Sequence, residues 1–472
     1  MVPLCRLPGL WISRNLSFLK LVFVVVILFG MSLVSLKYYN IDLSQRSSLL
    51  TYSCDKQRVN ILSRLEKSIS QDLLESDWEE LLELVEKWKM SKEVLCKRQD
   101  QRPYKERRSC KPRSNIFFLK IHKTGSSTII NMLFRYGEFH NLTFAFPVKK
   151  YYFKFPDYFS AQNVYGFSSE KQQKFNIMCH HMRFSLTEIE KIMPSDTFFF
   201  TILRHPETLM ESSFAYNRNS SSFNYSTSIE DFLNNTTKLY RSNESDSAFA
   251  KNLMTFDLGF NHNGPVSPKH FKLQYKMVDA MFDLVMIIEY FDESLVLLKN
   301  ALCWTFDDVL SFPLNMRNNT SRHVLSVETR EKIKSWNQLD WQLYVHFNNS
   351  FWDRVDKFGR ERMRKEVEEL RKRRARLSEK CLNDQVEANR IKEKSLVPYH
   401  PGSLSILGYN LKSGLQKSDR LLCHRLVLPE IQYTDLLWAK QVGNETKAYI
   451  ADKGQKGQES ITSNLNFTSR GQ

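Results

Sequence analysis

Two short stretches bring together residue types suited to holding anions. The first is Lys120-Ile121-His122-Lys123-Thr124-Gly125-Ser126-Ser127-Thr128, which follows the apolar run NIFFL and leads into the helical pattern IINMLFRY. A strand that ends in such a turn and opens a helix aims several free backbone N–H groups at one point. Small residues let an anion approach, and hydroxyls add donors. Lys123 places a full positive charge at the same spot. This is a phosphate cradle but not a Walker A loop: that motif needs G-x-x-x-x-G-K-[ST], and here the lysine precedes the only glycine. Taken alone, an ordinary capped helix start explains the same residues equally well. The second stretch is Leu203-Arg204-His205-Pro206 running to Ser212. Proline is tolerated in a first helical turn, so Arg204 falls at a strand's carboxyl end. Ser212, a little over two helical turns on, returns toward the same side. An arginine with a hydroxyl makes a clamp for a second phosphate, although a lone arginine there is more often a structural ion pair. A third candidate is the doubled histidine His180-His181 before Met182-Arg183-Phe184. An imidazole titrating near about 6.5 can accept a proton at neutral pH. Its plainer reading is a pair of satisfied histidines at a strand end.

These residues need a scaffold, and the chain supplies one. NIFFLKI (115–121), FNIMC (175–179), TFFFTIL (197–203) and DLVMIIE (283–289) are short apolar runs rich in β-formers. The first, third and fourth lead into helical patterns at 127–136, 207–216 and 292–302. Near-continuous apolar strands alternating with helices predict an α/β fold with a central parallel sheet covered on both faces. Ligands on such sheets bind at the carboxyl ends of the strands, where the candidate residues fall.

The flanking segments differ in kind. Residues 16–36, LSFLKLVFVVVILFGMSLVSL, carry one charge, Lys20. At ~1.5 Å per residue a helix of that length spans a hydrocarbon core. Arg6 and Arg14 precede it and no acidic residue occurs before Asp42. The positive-inside rule therefore keeps residues 1–15 cytoplasmic and sends the rest across the membrane. A signal anchor is favoured over a cleaved signal peptide, because the stretch is long and lacks a clear cleavage site. Residues 37–112 read as a polar stem containing an amphipathic helix from Leu62 to Trp88, which either packs on its own domain or dimerises. The globular domain is placed at 113–440 and a polar tail at 441–472. Eleven N-x-[ST] acceptors follow the anchor, several of them clustered between Asn219 and Asn243. Seven cysteines also follow it, all widely spaced, which suits dispersed disulfides in an oxidising lumen and leaves one thiol over. The formal net charge is +16. Arg354 to Lys380 supplies much of it with mixed signs at helical spacing, which reads as a solvated helix face rather than a nucleic-acid arm.

Together, the blocks FLKIHKTGSSTIINMLFR, FNIMCHHMRF, FTILRHPETLMESSF, EYFDESLVLLKNALCW, LDWQLYVHFNNSFW and SILGYNLK resemble the galactose-3-O-sulfotransferase family, which includes the galactosylceramide sulfotransferase. The likeness covers about 115–433. It implies a P-loop-like sulfotransferase fold and a Golgi-resident, single-pass type II enzyme. Such an enzyme transfers a sulfuryl group from 3′-phosphoadenosine 5′-phosphosulfate to the 3-hydroxyl of a terminal β-galactose on glycoproteins or glycolipids. By this resemblance Lys123, Thr124, Gly125, Ser126, Ser127 and Thr128 hold the 5′-phosphosulfate, and Lys123 stabilises the leaving phosphate oxygen. Arg204 and Ser212 hold the 3′-phosphate. His181 is the general base, with His122 beside the reacting group; the doubling His180-His181 leaves open which imidazole faces the acceptor. The expected partners are a galactose-terminated glycan or galactosylceramide, the Golgi membrane through the anchor, and a second copy through the stem. No nucleic acid or metal is expected.

Sulfuryl transfer needs in-line attack by a hydroxyl, neutralisation of the leaving phosphate and removal of one proton, so positioning and electrostatics should dominate. The competing readings are a type II glycosyltransferase, a non-catalytic glycan-binding homologue and a luminal kinase. The first commonly uses an Asp-x-Asp pair, which this chain lacks. A dead homologue would be free to lose Lys123, Arg204, Ser212 and His181, and a kinase would need a Walker-type lysine.

Overall fold

The computed structural model describes residues 110–453 apart from 149–150, 169, 171–172, 224, 319–320 and 400–403. The cytoplasmic tail, the expected membrane span at 16–36 and nearly all of the stem lie outside the described residues. Among those described, no helix is long and apolar enough to cross a membrane.

The elements that position the site, in chain order, are β1 (Ile116–Leu119), α1 (Ser126–Phe139), β2 (Ile177–Met178), β3 (Phe198–Leu203), α2 (Pro206–Tyr216), α3 (Leu253–Asp257), β4 (Leu284–Ile287), α4 (Phe291–Leu302), β5 (Met316–Arg317), α5 (Gln338–Phe358), α6 (Arg360–Cys381), β6 (Leu382–Glu387), β7 (Ile406–Leu411) and α7 (Glu430–Lys453). Strands β1 to β4 form a parallel sheet in the order β2-β1-β3-β4. All four apolar runs read from the sequence are strands of this sheet. Each is shorter than its apolar run: β1, β2 and β4 are trimmed at both ends, and β3 at its amino end alone.

Residues Ile116 to Leu119 are all fully buried, and every residue of β3 is buried. Helices cover both faces, so no strand can alternate polar with apolar residues. Phe117 lies 4.8 Å from Phe199 and Phe118 4.8 Å from Phe200, ring centroid to centroid, across the β1–β3 pair. Each such buried ring contributes on the order of 2–3 kcal/mol of transfer free energy. After β1 the chain crosses to β2 on one side, then returns to β3 on the other. The carboxyl ends of β1 and β3 thus flank the point where strand order reverses, the usual ligand crevice of an open parallel sheet.

A second, three-stranded antiparallel sheet has the order β5-β7-β6. The sequence reading did not anticipate it: β5 has two residues, and β6 (LNDQVE) is polar and largely exposed. Disulfides join Cys110 to Cys303 and Cys381 to Cys423, while Cys179 is buried and free. The first closes a loop of 193 residues and ties the chain before β1 to the end of α4. The charged stretch 354–380 is not one helix. Gly359, at φ 99°, ends α5 and α6 starts one residue later. The last helix continues past the start of the polar tail to Lys453.

Candidate active site at the carboxyl ends of β1 and β3

One cavity of about 920 Å³ opens over the crevice. Of the residues singled out from the sequence, His122, Lys123, Gly125, Ser126, Ser127, Thr128, His181, Arg204 and Ser212 all line it. The two anion-binding stretches therefore face one space. They also touch: an Arg204 guanidinium N–H donates to the Lys123 carbonyl at 2.8 Å.

The turn after β1 is locally unusual. Lys123 has φ 61° and Gly125 φ 75°, both left-handed. At Gly125, the residue capping α1, the left-handed backbone calls for glycine, while an added Cβ would meet only the mobile end of the Ile288 side chain. The reward of this path is a set of free donors. Thr124 closes a tight turn onto Ile121, and among the described residues the amides of Lys123, Gly125, Ser126 and Ser127 reach no acceptor within the protein. A helix start with several such amides binds anions.

The side chains of the turn divide in a way its composition does not reveal. Thr124 is fully buried and its hydroxyl donates back to the Ile121 carbonyl at 2.9 Å. Thr124 does not line the cavity. The Ser126 hydroxyl also turns back to Ile121, at 3.3 Å. Ser127 donates to Glu430 at 3.0 Å, and Thr128 accepts the Leu314 amide at 3.0 Å. The expected hydroxyl donors are thus mostly spent on holding the turn.

Charge in the cavity is arranged in two classes. Lys120 pairs with Glu430 and Arg317 with Glu211. Lys123 and Arg204 have no carboxylate within ion-pair distance among the described residues. Lys123 Nζ instead lies 3.3 Å above the Tyr216 ring, a cation–π contact. Burial, with Arg317, Arg204 and Lys120 nearby, holds its pKa well below the lysine range. Burial likewise brings Arg204 down to about 10. Burial would push the Glu430 carboxyl up, but Lys120 and the Ser127 hydroxyl keep it below the usual value.

The imidazoles are also sorted. His180 is 1% exposed, lies among Phe134, Phe146 and Phe153, and meets the Thr434 hydroxyl at 3.2 Å. Burial depresses its pKa to about 4. His181 lines the cavity and stacks on His122, with centroids 3.8 Å apart and planes 13° from parallel. Burial first, then the neighbouring His122 and Lys120, keep His181 well below its ordinary pKa, and its Nδ1 has no partner. His122 has a carboxylate. Asp257, wholly buried at the end of α3, sits 2.9 Å from His122 Nδ1 and accepts the His122 amide at 2.8 Å. Nδ1 therefore carries the hydrogen, and Nε2 keeps its lone pair.

Asp257 is itself held. Asp340 of α5 accepts the Met254 amide at 3.0 Å and the Thr255 amide at 2.8 Å, capping α3 from outside, and also takes the Thr255 hydroxyl at 2.7 Å. Burial pushes Asp340 up to about 6 against those hydrogen bonds. Sequence reasoning missed Asp257, Asp340, Glu430, Arg317 and Tyr216. Asp340 lies in a block quoted for its family likeness, but nothing in one chain marked it as the support of a histidine. Among the described residues no group of His, Cys, Asp and Glu could hold a metal ion.

Such a cleft, with free amides, half-buried cations that have no carboxylate partner among the described residues and a carboxylate-bound imidazole over a parallel sheet, suits an α/β enzyme with an anionic ligand. The galactose-3-O-sulfotransferase family model matches residues 6–441, so the chain belongs to that family and is a sulfotransferase. Pig galactose-3-O-sulfotransferase 2 is 44% identical over 339 residues, covering 70% of this chain and 85% of the relative. Human galactose-3-O-sulfotransferase 4 is 38% identical over 409 residues, with 71% and 84% covered. Human galactosylceramide sulfotransferase is 42% identical over 331 residues, with 69% and 78% covered.

Proposed function

We propose that this enzyme transfers a sulfuryl group from 3′-phosphoadenosine 5′-phosphosulfate to the 3-hydroxyl of a terminal β-galactose. The observation that carries the reading is Lys123, a half-buried cation with no carboxylate in ion-pair distance among the described residues, beside four free amides and 2.8 Å from Arg204 through its own carbonyl. A site built this way is electrostatically unfinished until an anion enters, and the fit to a donor with phosphates at both ends of an adenosine is good. That donor supplies a sulfuryl group already joined to a phosphate leaving group.

The chain's residues then do three things. The amides of residues 123 and 125–127 and the Lys123 side chain hold the phosphosulfate end, and Lys123 neutralises charge on the leaving oxygen. Arg204 and Ser212 hold the 3′-phosphate. His122 Nε2 takes the proton of the galactose 3-hydroxyl, and Asp257 steadies the imidazolium that results. Of the two cleft imidazoles, the geometry favours His122 over His181 as base. His122 has the carboxylate, whereas burial makes protonation of His181 unfavourable. His181 then packs as the neutral neighbour that fixes the His122 ring plane.

Purified enzyme given radiolabelled donor and N-acetyllactosamine, core-1 disaccharide or galactosylceramide should yield galactose labelled at its 3-hydroxyl. No label on any of the three would overturn the reading. The names of the relatives cover glycolipid and other galactose acceptors alike, so the three are compared side by side. We also infer a Golgi location with residues 16–36 as a type II anchor. Protease protection of the catalytic domain in sealed microsomes checks it, and digestion from the cytoplasmic side would refute it.

A further inference from the structure

The cavity has a second kind of wall. Four of its lining residues, Tyr151, Tyr152, Phe155 and Phe249, are aromatic and uncharged and come from none of the donor-gripping segments. They close on the imidazoles. The Phe155 ring is 4.6 Å from His122, Phe249 is 5.3 Å from His122, and Phe155 and Phe249 are 5.7 Å apart. The segment bearing Tyr151 to Phe155 is fixed to the His181 strand edge: Tyr152 bridges to His181 in parallel fashion, and the Phe153 amide donates to the His181 carbonyl at 2.8 Å. Tyr151 is held by its hydroxyl, which donates to Asp435 at 3.0 Å. Phe249 ends up here because the turn Ser247–Ala250 packs against α2, where the Ser213 hydroxyl meets the Phe249 carbonyl at 2.6 Å.

The cavity is therefore polarised. Lys120, Lys123, Arg204, Arg317 and Arg322 line it elsewhere, whereas, apart from Asp257 at Nδ1, the His122 ring meets the rings of Phe155, His181 and Phe249. His122 stands at the boundary, next to Lys123 in the chain and against Phe155 in space. A polyanion belongs with the cations. A neutral sugar with one apolar face belongs with the rings, close enough to offer a hydroxyl to His122 Nε2. β-Galactose suits that description: its axial 4-hydroxyl leaves the hydrogens of C3, C4 and C5 on a single face, which packs on an aromatic ring as ligand sites commonly do. Tyr152 is 42% exposed, so its ring is accessible to a ligand entering the cavity.

We propose that Tyr152, Phe155 and Phe249 form the acceptor subsite, holding the terminal β-galactose by stacking so that its 3-hydroxyl meets His122. The proposal rests on the sulfuryl-transfer reading above and adds where the acceptor sits. Its source, a glycolipid headgroup or a glycoprotein glycan, presents the same galactose to the same wall.

The test uses Tyr152→Ala and Phe155→Ala, with Phe155→Tyr as the conservative partner, in steady-state assays on N-acetyllactosamine and on galactosylceramide. Binding of adenosine 3′,5′-bisphosphate is followed by calorimetry. Both alanine variants should raise the acceptor KM by about five- to tenfold in whichever arm the wild type turns over, as expected for a lost aromatic contact. Bisphosphate affinity should stay within about twofold, and Phe155→Tyr should recover most of the loss. Tyr152 is exposed enough that its alanine variant should fold normally, so the proposal stays testable if Phe155→Ala does not. An unchanged acceptor KM in Tyr152→Ala, or a loss of bisphosphate affinity as large as the loss for acceptor, overturns the subsite. Wild-type enzyme that labels no galactoside would break the earlier reading instead, which separates the two failures.

Discussion

Helix α6 and the cleft both gather positive charge, and they treat it in opposite ways. On α6 nearly every cation has an acidic neighbour: Arg362 with Glu366 at 2.9 Å, Arg364 with Glu361 at 2.8 Å, Arg373 with Glu369 at 2.6 Å, and Arg371 and Arg374 both with Asp292 of α4. These pairs are exposed or at the rim, spaced three or four residues apart or aimed at the next helix. Such pairs add little each and are screened by salt. In the cleft, Lys123 and Arg204 are half-buried and lack acidic partners within ion-pair distance among the described residues, while their neighbours Lys120 and Arg317 have them. The lesson is that charge density alone does not mark a binding site. A cation kept from water and from any carboxylate carries a standing cost that only a ligand offsets.

The contrast can be broken at its strongest point first. Lys123→Met should lower kcat by roughly a hundredfold or more, as for removal of a main charge stabiliser, and should also raise the Tm of donor-free enzyme. The sign follows from the lowered pKa: the folded state binds the Lys123 proton less tightly than the unfolded chain, so the charge opposes folding at neutral pH. Full activity, or a lower Tm, would remove Lys123 from this role. Asp257→Asn keeps the shape but loses the charge behind His122, and kcat should fall by about a hundredfold with acceptor KM little changed. A parallel His181→Ala that is more damaging would move the base to His181.

Smaller effects sharpen the comparison. Arg204→Ala should weaken adenosine 3′,5′-bisphosphate binding by about tenfold or more and leave acceptor KM alone. Calorimetry in buffers of different ionisation enthalpy should reveal proton uptake on binding, with affinity falling as pH rises from Lys123's lowered pKa toward the ordinary lysine value. Binding that is flat in pH and releases no buffer heat would contradict an unpaired Lys123. At the far end of the scale, Arg364→Ala on α6 should change neither kcat nor Tm measurably.

The apolar runs at 115–121, 175–179, 197–203 and 283–289 were legible because a strand buried on both faces leaves no room for polar alternation. The turn from His122 to Thr128 was legible only beside the other blocks of the chain, since glycine, serine and lysine at a strand end read equally well as an ordinary capped helix start. What could not be read was which side chains of that turn face the ligand: Thr124 bonds back to Ile121, and Ser127 is taken by Glu430, 303 positions away. Nor could the support of His122 be read, since Asp257 lies 135 residues on and Asp340 reaches α3 from another helix. The antiparallel sheet was illegible for a different reason, as β5 is too short and β6 too polar to carry a periodic signal.

By itself the sequence determined the parallel sheet and the two candidate anion-binding turns at its strand ends, because those depend on local patterns of burial and backbone freedom. Tertiary structure alone decided which cations stay unpaired, which histidine receives a carboxylate and where a neutral aromatic wall meets the donor grip. Those are matters of a few ångströms between segments well separated in the chain, and a carboxylate's effect on a lysine or an imidazole depends on that distance and on the water excluded around it.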